Sequence, residues 1–84
     1  KLCAEIDLEK IHPLKIFKWL KKNNIEDDEM LKTFNCGVGF CLIINPRNLN
    51  KVIKNFSKIN KPYIIGRISN GSIKVRLKNE IKWI

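Results

Sequence analysis

At 84 residues and a formal charge of +9, the chain has room for one domain at most, or part of one. Its 44% hydrophobic content is that of a globular protein and not of a disordered tail. No apolar run approaches the roughly 20 residues that a membrane-spanning helix needs. No signal peptide is visible, and Lys1 as the first residue suggests a cut chain.

The charge invites a nucleic-acid reading, but the residues that carry it argue for solvated faces. Lys, Ile and Asn make up nearly half the sequence, all three with A/T-rich codons, and the lysines are scattered. Arginine, the better reader of phosphates and bases, occurs only at Arg47, Arg67 and Arg76. Cys3, Cys36 and Cys41 lack C-x-x-C spacing, which implies neither a disulfide framework nor a zinc site. They read as small, buried or half-buried side chains in a reducing cytoplasm. His12 is too remote in sequence to activate a thiol unless the fold brings it close.

Residues 1–11 alternate apolar and charged side chains, which suits a short edge strand or an extended lead-in. Pro13 is expected at the first position of a helix with Ile16, Phe17, Trp19 and Leu20 as its apolar stripe, ended by Asn23-Asn24. A second helix follows, with acids from Glu26 to Glu29 at its start and an Ile25–Met30 hydrophobic staple if Glu26 is the cap. Consecutive carboxylates splay around a helix, so capping is expected of them and not metal binding. This helix should run to about Phe34, with Asn35 as a left-handed residue just past its end.

From Val38 to Ile44 both faces are apolar, the pattern of a strand in the middle of a covered sheet. Leu49, Val52, Ile53, Phe56 and Ile59 then give the clearest helical period in the chain, over 47–59. Asn70-Gly71 predicts a tight hairpin. It pairs Ile68 with Ile73, Gly66 with Val75 and Ile64 with Leu77, and sets Arg67 beside Lys74 on the opposite face. The hairpin's apolar face should lie on the 47–59 helix. Residues 80–84 read as a further short strand anchored by Trp83. The fold class expected is α/β (α+β): two helices, a buried strand, an amphipathic helix and a C-terminal β-hairpin in a mixed sheet.

The candidate site is the stretch Thr33-Phe34-Asn35-Cys36-Gly37-Val38-Gly39, where small polar side chains, an amide and two glycines precede the apolar run. Gly37-x-Gly39 lacks the third glycine of a dinucleotide fingerprint and precedes a strand instead of following one. No P-loop, nucleophile elbow or HExxH motif is present. The turn also follows the C-terminal end of a helix, where the dipole disfavours an in-line phosphate. The residues alone leave open a helix stop with tight packing and a ligand contact.

Three stretches resemble a known family in order and spacing: Ile16-Phe17-Lys18-Trp19-Leu20; Glu29-Met30-Leu31-Lys32-Thr33-Phe34-Asn35-Cys36-Gly37-Val38-Gly39; and Tyr63-Ile64-Ile65-Gly66-Arg67-Ile68. They look like the C-terminal end of AIR synthetase (phosphoribosylformylglycinamidine cyclo-ligase) over roughly residues 13–78. The E-M-x-x-T-F-N-x-G-x-G string is the specific part. The resemblance implies the second half of that enzyme's C-terminal domain, with the N-terminal ATP-binding domain absent and no activity for this piece alone. For the whole enzyme it implies ATP- and Mg²⁺-dependent ring closure of formylglycinamidine ribonucleotide to aminoimidazole ribonucleotide in purine synthesis. It also implies a cytoplasmic homodimer formed through the N-terminal domain, with no membrane or nucleic-acid partner. Thr33, Asn35, Gly37 and Gly39 match the family's turn near the interdomain cleft and are the expected substrate-side residues; the catalytic residues are not in the pattern, and no cofactor or metal is expected in this piece. The alternatives are a piece of a sister ATP-dependent enzyme of the same superfamily, or a small basic nucleic-acid-binding module using Arg67, Lys74, Arg76 and Lys78. The latter face lacks interleaved aromatics and should be hidden if the sheet is covered.

Overall fold

A computed structural model describes all of residues 1–84. The alternating segment at the start forms strand β1 (Leu2–Asp7), which is the middle strand of the sheet and not an edge. Strand β2 (Gly66–Asn70) runs antiparallel to it on one side, and β3 (Val75–Lys78) runs parallel on the other. The expected class, α+β with a mixed sheet, is what the chain adopts. β2 and β3 form a hairpin-like pair, antiparallel to each other, but β1 lies between them.

Charge favours that insertion. Direct pairing would set Arg67 beside Lys74, and like charges directly opposite destabilise a ladder. With β1 inserted, Glu5 faces Arg67 on one side and Arg76 on the other, with Oε2 2.9 Å from Arg67 Nε and Oε1 3.6 Å from Arg76 Nη1. Ile68 now stands across Ala4 from Val75 instead of opposite Ile73. That offset is two residues, so every side chain keeps its expected face. Neither Asn70 nor Gly71 takes a positive φ. The Gly71 N–H donates instead to the Lys1 carbonyl at 3.1 Å.

Helix α1 (Lys15–Lys21) starts two residues beyond Pro13, with Leu14 as its extended cap. Asn24, at φ +62°, ends the segment, and Asn23 Nδ2 donates to the Trp19 carbonyl. Helix α2 (Asp27–Thr33) has Glu26 at its cap position and three acids in its first turn, as expected, but the Glu26 side chain makes no capping hydrogen bond. Its staple residue Met30 is 0% exposed. Leu8, Ile11, Met30, Cys36 and Ile81 form the core, with Phe17, Leu20, Ile25, Phe34 and Trp83 packed around it. Residues 80–84 are not a strand; Ile81 plugs the core and Trp83 Nε1 donates to Asp27 Oδ1 at 3.1 Å.

The middle of the chain departs most from expectation. Residues 38–44 form no strand, and residues 39–44 enter no backbone hydrogen bond. Phe40 is 84% and Ile43 78% exposed. A strand needs a ladder partner, and 38–44 pairs with neither outer edge of the three-stranded sheet, that of β2 or that of β3. Cys41 is therefore exposed, while Cys3 and Cys36 are buried as expected. The expected 47–59 helix is a short 3₁₀ turn, Pro46–Asn48, followed by α3 (Leu49–Lys54). Asn45 Oδ1 caps the turn by accepting from the Arg47 N–H at 2.9 Å. Nothing in α3 is buried, and Phe56 and Ile59 are exposed. The apolar sheet face, with Ile68, Val75 and Leu77, is exposed rather than covered by this helix. The radius of gyration is 14.2 Å, against roughly 12 Å for a compact domain of this length. No helix is long and apolar enough to cross a membrane.

Candidate functional site: the glycine turn after α2

The site is built on the end of α2. Thr33 is its last residue, and Thr33 Oγ1 donates to Glu29 Oε1 one turn back at 2.9 Å. The Phe34 N–H closes the helix on the Met30 carbonyl, and Phe34 itself is extended. Asn35 then organises a tight turn. Its Oδ1 accepts from the Gly37 N–H at 2.8 Å, and its carbonyl accepts from the Val38 N–H at 3.0 Å. The central residues Cys36 and Gly37 have φ of +54° and +106°, the signature of a type I′ turn.

The left-handed residue is thus Cys36, not Asn35. A non-glycine residue there costs roughly 1–2 kcal/mol, and here the conformation drives the side chain into the core. Cys36 Sγ lies 3.7 Å from the Met30 carbonyl oxygen. Burial, reinforced by the charge of Asp27, pushes the thiol's pKa up. Cys36 is a buried neutral anchor and not a nucleophile.

The two glycines differ. A Cβ at Gly37 would lie 3.0 Å from the His12 carbonyl oxygen and 3.2 Å from the Leu14 nitrogen, so position 37 is closed by packing as well as by φ. A Cβ at Gly39 would meet nothing within 4 Å. The fold therefore explains Gly37 and leaves Gly39 facing open space. Thr33, Asn35, Gly37 and Gly39 fall along one continuous loop, with Thr33 Oγ1 and Asn35 Oδ1 already engaged. Asn35 is exposed, and its Nδ2 donor makes no hydrogen bond within the chain.

Two residues beside the turn carried no periodic signal in the sequence. The fold brings His12 against Gly37, and the His12 ring stacks on Tyr63 with centroids 4.2 Å apart and planes 16° from parallel. The His12 N–H donates to the Tyr63 hydroxyl at 3.1 Å. His12 and Tyr63 are 51 positions apart, and each adjoins a proline, so only the tertiary structure could pair them.

The polar face of the sheet is a second charged region. The hydrogen bond from Arg67, aided by the charges of Arg67, Arg76 and Lys78, holds the Glu5 carboxyl below its ordinary pKa against the opposing effect of burial. Asn79 Nδ2, 2.9 Å from Asp7 Oδ1, does the same for Asp7, with the Glu9 N–H and the charges of Lys78 and Lys10 assisting. This face is open, contrary to the covered sheet expected, and Arg67 and Arg76 are exposed. Glu5 and Asp7 remain ionised among the basic groups and offset their charge. Asp27, at the start of α2, is taken by Lys21 Nζ at 2.8 Å and by Trp83.

Nothing in these residues fits Mg²⁺ with ATP. The acids at the start of α2 do not converge, no cluster of acid, histidine or cysteine side chains suited to a cation forms elsewhere, and the turn follows a helix C-terminus.

Residues 1–78 match the family model described as AIR synthase related protein, C-terminal domain. Over 58 residues the chain is 48% identical to a phosphoribosylformylglycinamidine cyclo-ligase of Methanocaldococcus jannaschii, covering 67% of this chain and 17% of that protein. It is 40% identical over 58 residues to the chloroplastic/mitochondrial phosphoribosylformylglycinamidine cyclo-ligase of Vigna unguiculata, covering 68% of this chain and 15% of that protein. The chain thus spans about a sixth of the length of these relatives. No solved structure matches it. The chain belongs to the family of AIR synthase related proteins, through a match to the model of their C-terminal domain.

Proposed function

We propose that this chain is the second half of the C-terminal domain of a phosphoribosylformylglycinamidine cyclo-ligase, and that Thr33, Asn35, Gly37 and Gly39 form the turn that meets the substrate. Both relatives above carry that enzyme's name. The observation that carries the site is the state of Asn35. Its carbonyl oxygen is pinned by the Gly37 N–H, which fixes the amide plane and leaves an exposed Nδ2 as an oriented donor. Gly39 beside it leaves open space into which a ligand can approach the backbone.

In this reading Asn35 donates to an acceptor on formylglycinamidine ribonucleotide, while Thr33 and Gly37 hold the turn. Fixing one end of the substrate favours the closed geometry in which its amidine nitrogen reaches the activated amide carbon. The overall reaction is ATP-dependent ring closure to aminoimidazole ribonucleotide. No residue of this chain is given a part in phosphoryl transfer, which belongs to the ATP-binding domain of the intact homodimeric enzyme. The 84 residues alone are expected to be inactive.

The test is ADP release from the full-length gene product, with its intact mass measured on the same sample. A chain several times longer that releases ADP only when formylglycinamidine ribonucleotide is present is the expected result. A full-length product that binds neither that substrate nor ATP would contradict the proposal.

A further inference from the structure

The turn at 35–38 is short, exposed on its outer side and composed of two residues with positive φ, so something must hold it in register. Its hydrogen bonds are internal. Its inner side closes on the backbone of His12 and Leu14, with no room for a Cβ at Gly37. That backbone is itself held from a third part of the chain, because Tyr63 stacks on the His12 ring and accepts a hydrogen bond from the His12 N–H. The order of support is Tyr63, His12, Gly37, Asn35.

We propose that Tyr63 and His12 are positioning residues for the Asn35 donor: Tyr63 fixes the His12 backbone, and the His12 carbonyl sets where Gly37, and with it the Asn35 amide, can lie. The substrate consequence rests on the function proposed above, whereas the mechanical consequence does not. Three observations support it together. The stack is close and nearly parallel, its hydroxyl is aimed at the backbone of its own stacking partner, and that backbone is the surface against which the left-handed glycine packs. Neither ring is buried, so the pair acts locally and is not part of the core.

Two variants separate the contacts. Tyr63→Phe keeps the stack and removes the acceptor oxygen; Tyr63→Ala removes both. Amide hydrogen exchange in the full-length protein should show the Gly37 and Val38 amides accelerated about fivefold in Tyr63→Phe and about tenfold or more in Tyr63→Ala. Glu5 and Ile6 in β1 should keep their rates. Equal rates at Gly37 and Val38 in all three proteins would overturn the proposal. Acceleration of Glu5 and Ile6 by the same factor would also overturn it, because the pair would then support the whole fold. In the full-length enzyme, the positioning role predicts a higher KM for formylglycinamidine ribonucleotide in Tyr63→Ala with kcat retained. Accelerated exchange with an unchanged KM supports the positioning of the turn and removes the substrate role proposed for it.

Discussion

Two parts of this chain have similar apolar content and opposite fates. Residues 1–37, with β2, β3 and the tail at 79–84, build the sheet and the core. Residues 38–65 contribute no buried residue, although 38–44 is the most apolar run and 47–59 has the clearest helical period. The difference is partnership. Met30, Cys36 and Ile81 reach the core from segments whose ends are tied by a cap, a turn or a side-chain bond. Phe40 and Ile43 lie on a segment with no backbone bond at all. A hydrophobic pattern selects which element a segment can form, but burial needs a second surface, and a strand needs another strand that pairs with it.

The comparison can be tested from its heavier side. Met30→Ala empties the centre of a small core and is expected to destabilise the chain by about 3 kcal/mol, in the range for deleting a large buried side chain. The denaturant midpoint reads this, and a wild-type midpoint would mean that the core lies elsewhere. Gly66→Ala comes next. A Cβ there would fall 1.9 Å from the Glu5 carbonyl oxygen, so β2 must move off β1, at about 2 kcal/mol. Loss of exchange protection in β1 and β2 together, with α2 retained, is the expected signature.

Acid titration examines how the strands are tied. Glu5 and Asp7 have lowered pKa values in the folded chain, so their stabilisation is complete above the ordinary carboxylate range. It is lost as pH falls through that range to the lowered folded values. Wild-type stability should therefore drop below about pH 4, and Glu5→Gln should flatten the drop while lowering stability at neutral pH. An identical acid profile in wild type and Glu5→Gln would show that the Arg67–Glu5–Arg76 bridge contributes nothing. The smallest effect belongs to the loose segment. Phe40→Lys and Ile43→Lys should shift stability by no more than about 0.5 kcal/mol. A loss of several times that would mean that 38–44 is packed against the rest of the fold.

Local signals in the sequence survived folding where their chemistry was self-contained. The Asn23-Asn24 stop, Glu26 at the cap position of α2 and the packing of Ile25 on the core around Met30 depend on neighbours a few positions away, and each is found, although the Glu26 side chain makes no capping hydrogen bond. The faces of β2 and β3 were legible because alternation fixes them, but their pairing was not, since the residue that separates two arginines is Glu5, more than sixty positions away. The strand expected at 38–44 was misread for the complementary reason: its pattern describes a buried strand without saying what would pair with it. At the site, the glycines and Asn35 were legible as a turn. The exchange of roles between Asn35 and Cys36, and the support from His12 and Tyr63, follow from packing that no spacing records.

The central claim is that Asn35 offers its amide nitrogen to the substrate. Asn35→Asp in the full-length enzyme tests it most directly, because a carboxylate can still accept the Gly37 N–H while the donor is gone. The account predicts about a tenfold rise in KM for formylglycinamidine ribonucleotide, the cost of about one hydrogen bond, with the melting temperature within about 2 °C of wild type. A wild-type KM and kcat in a protein that folds normally would contradict it and leave the turn a purely structural one.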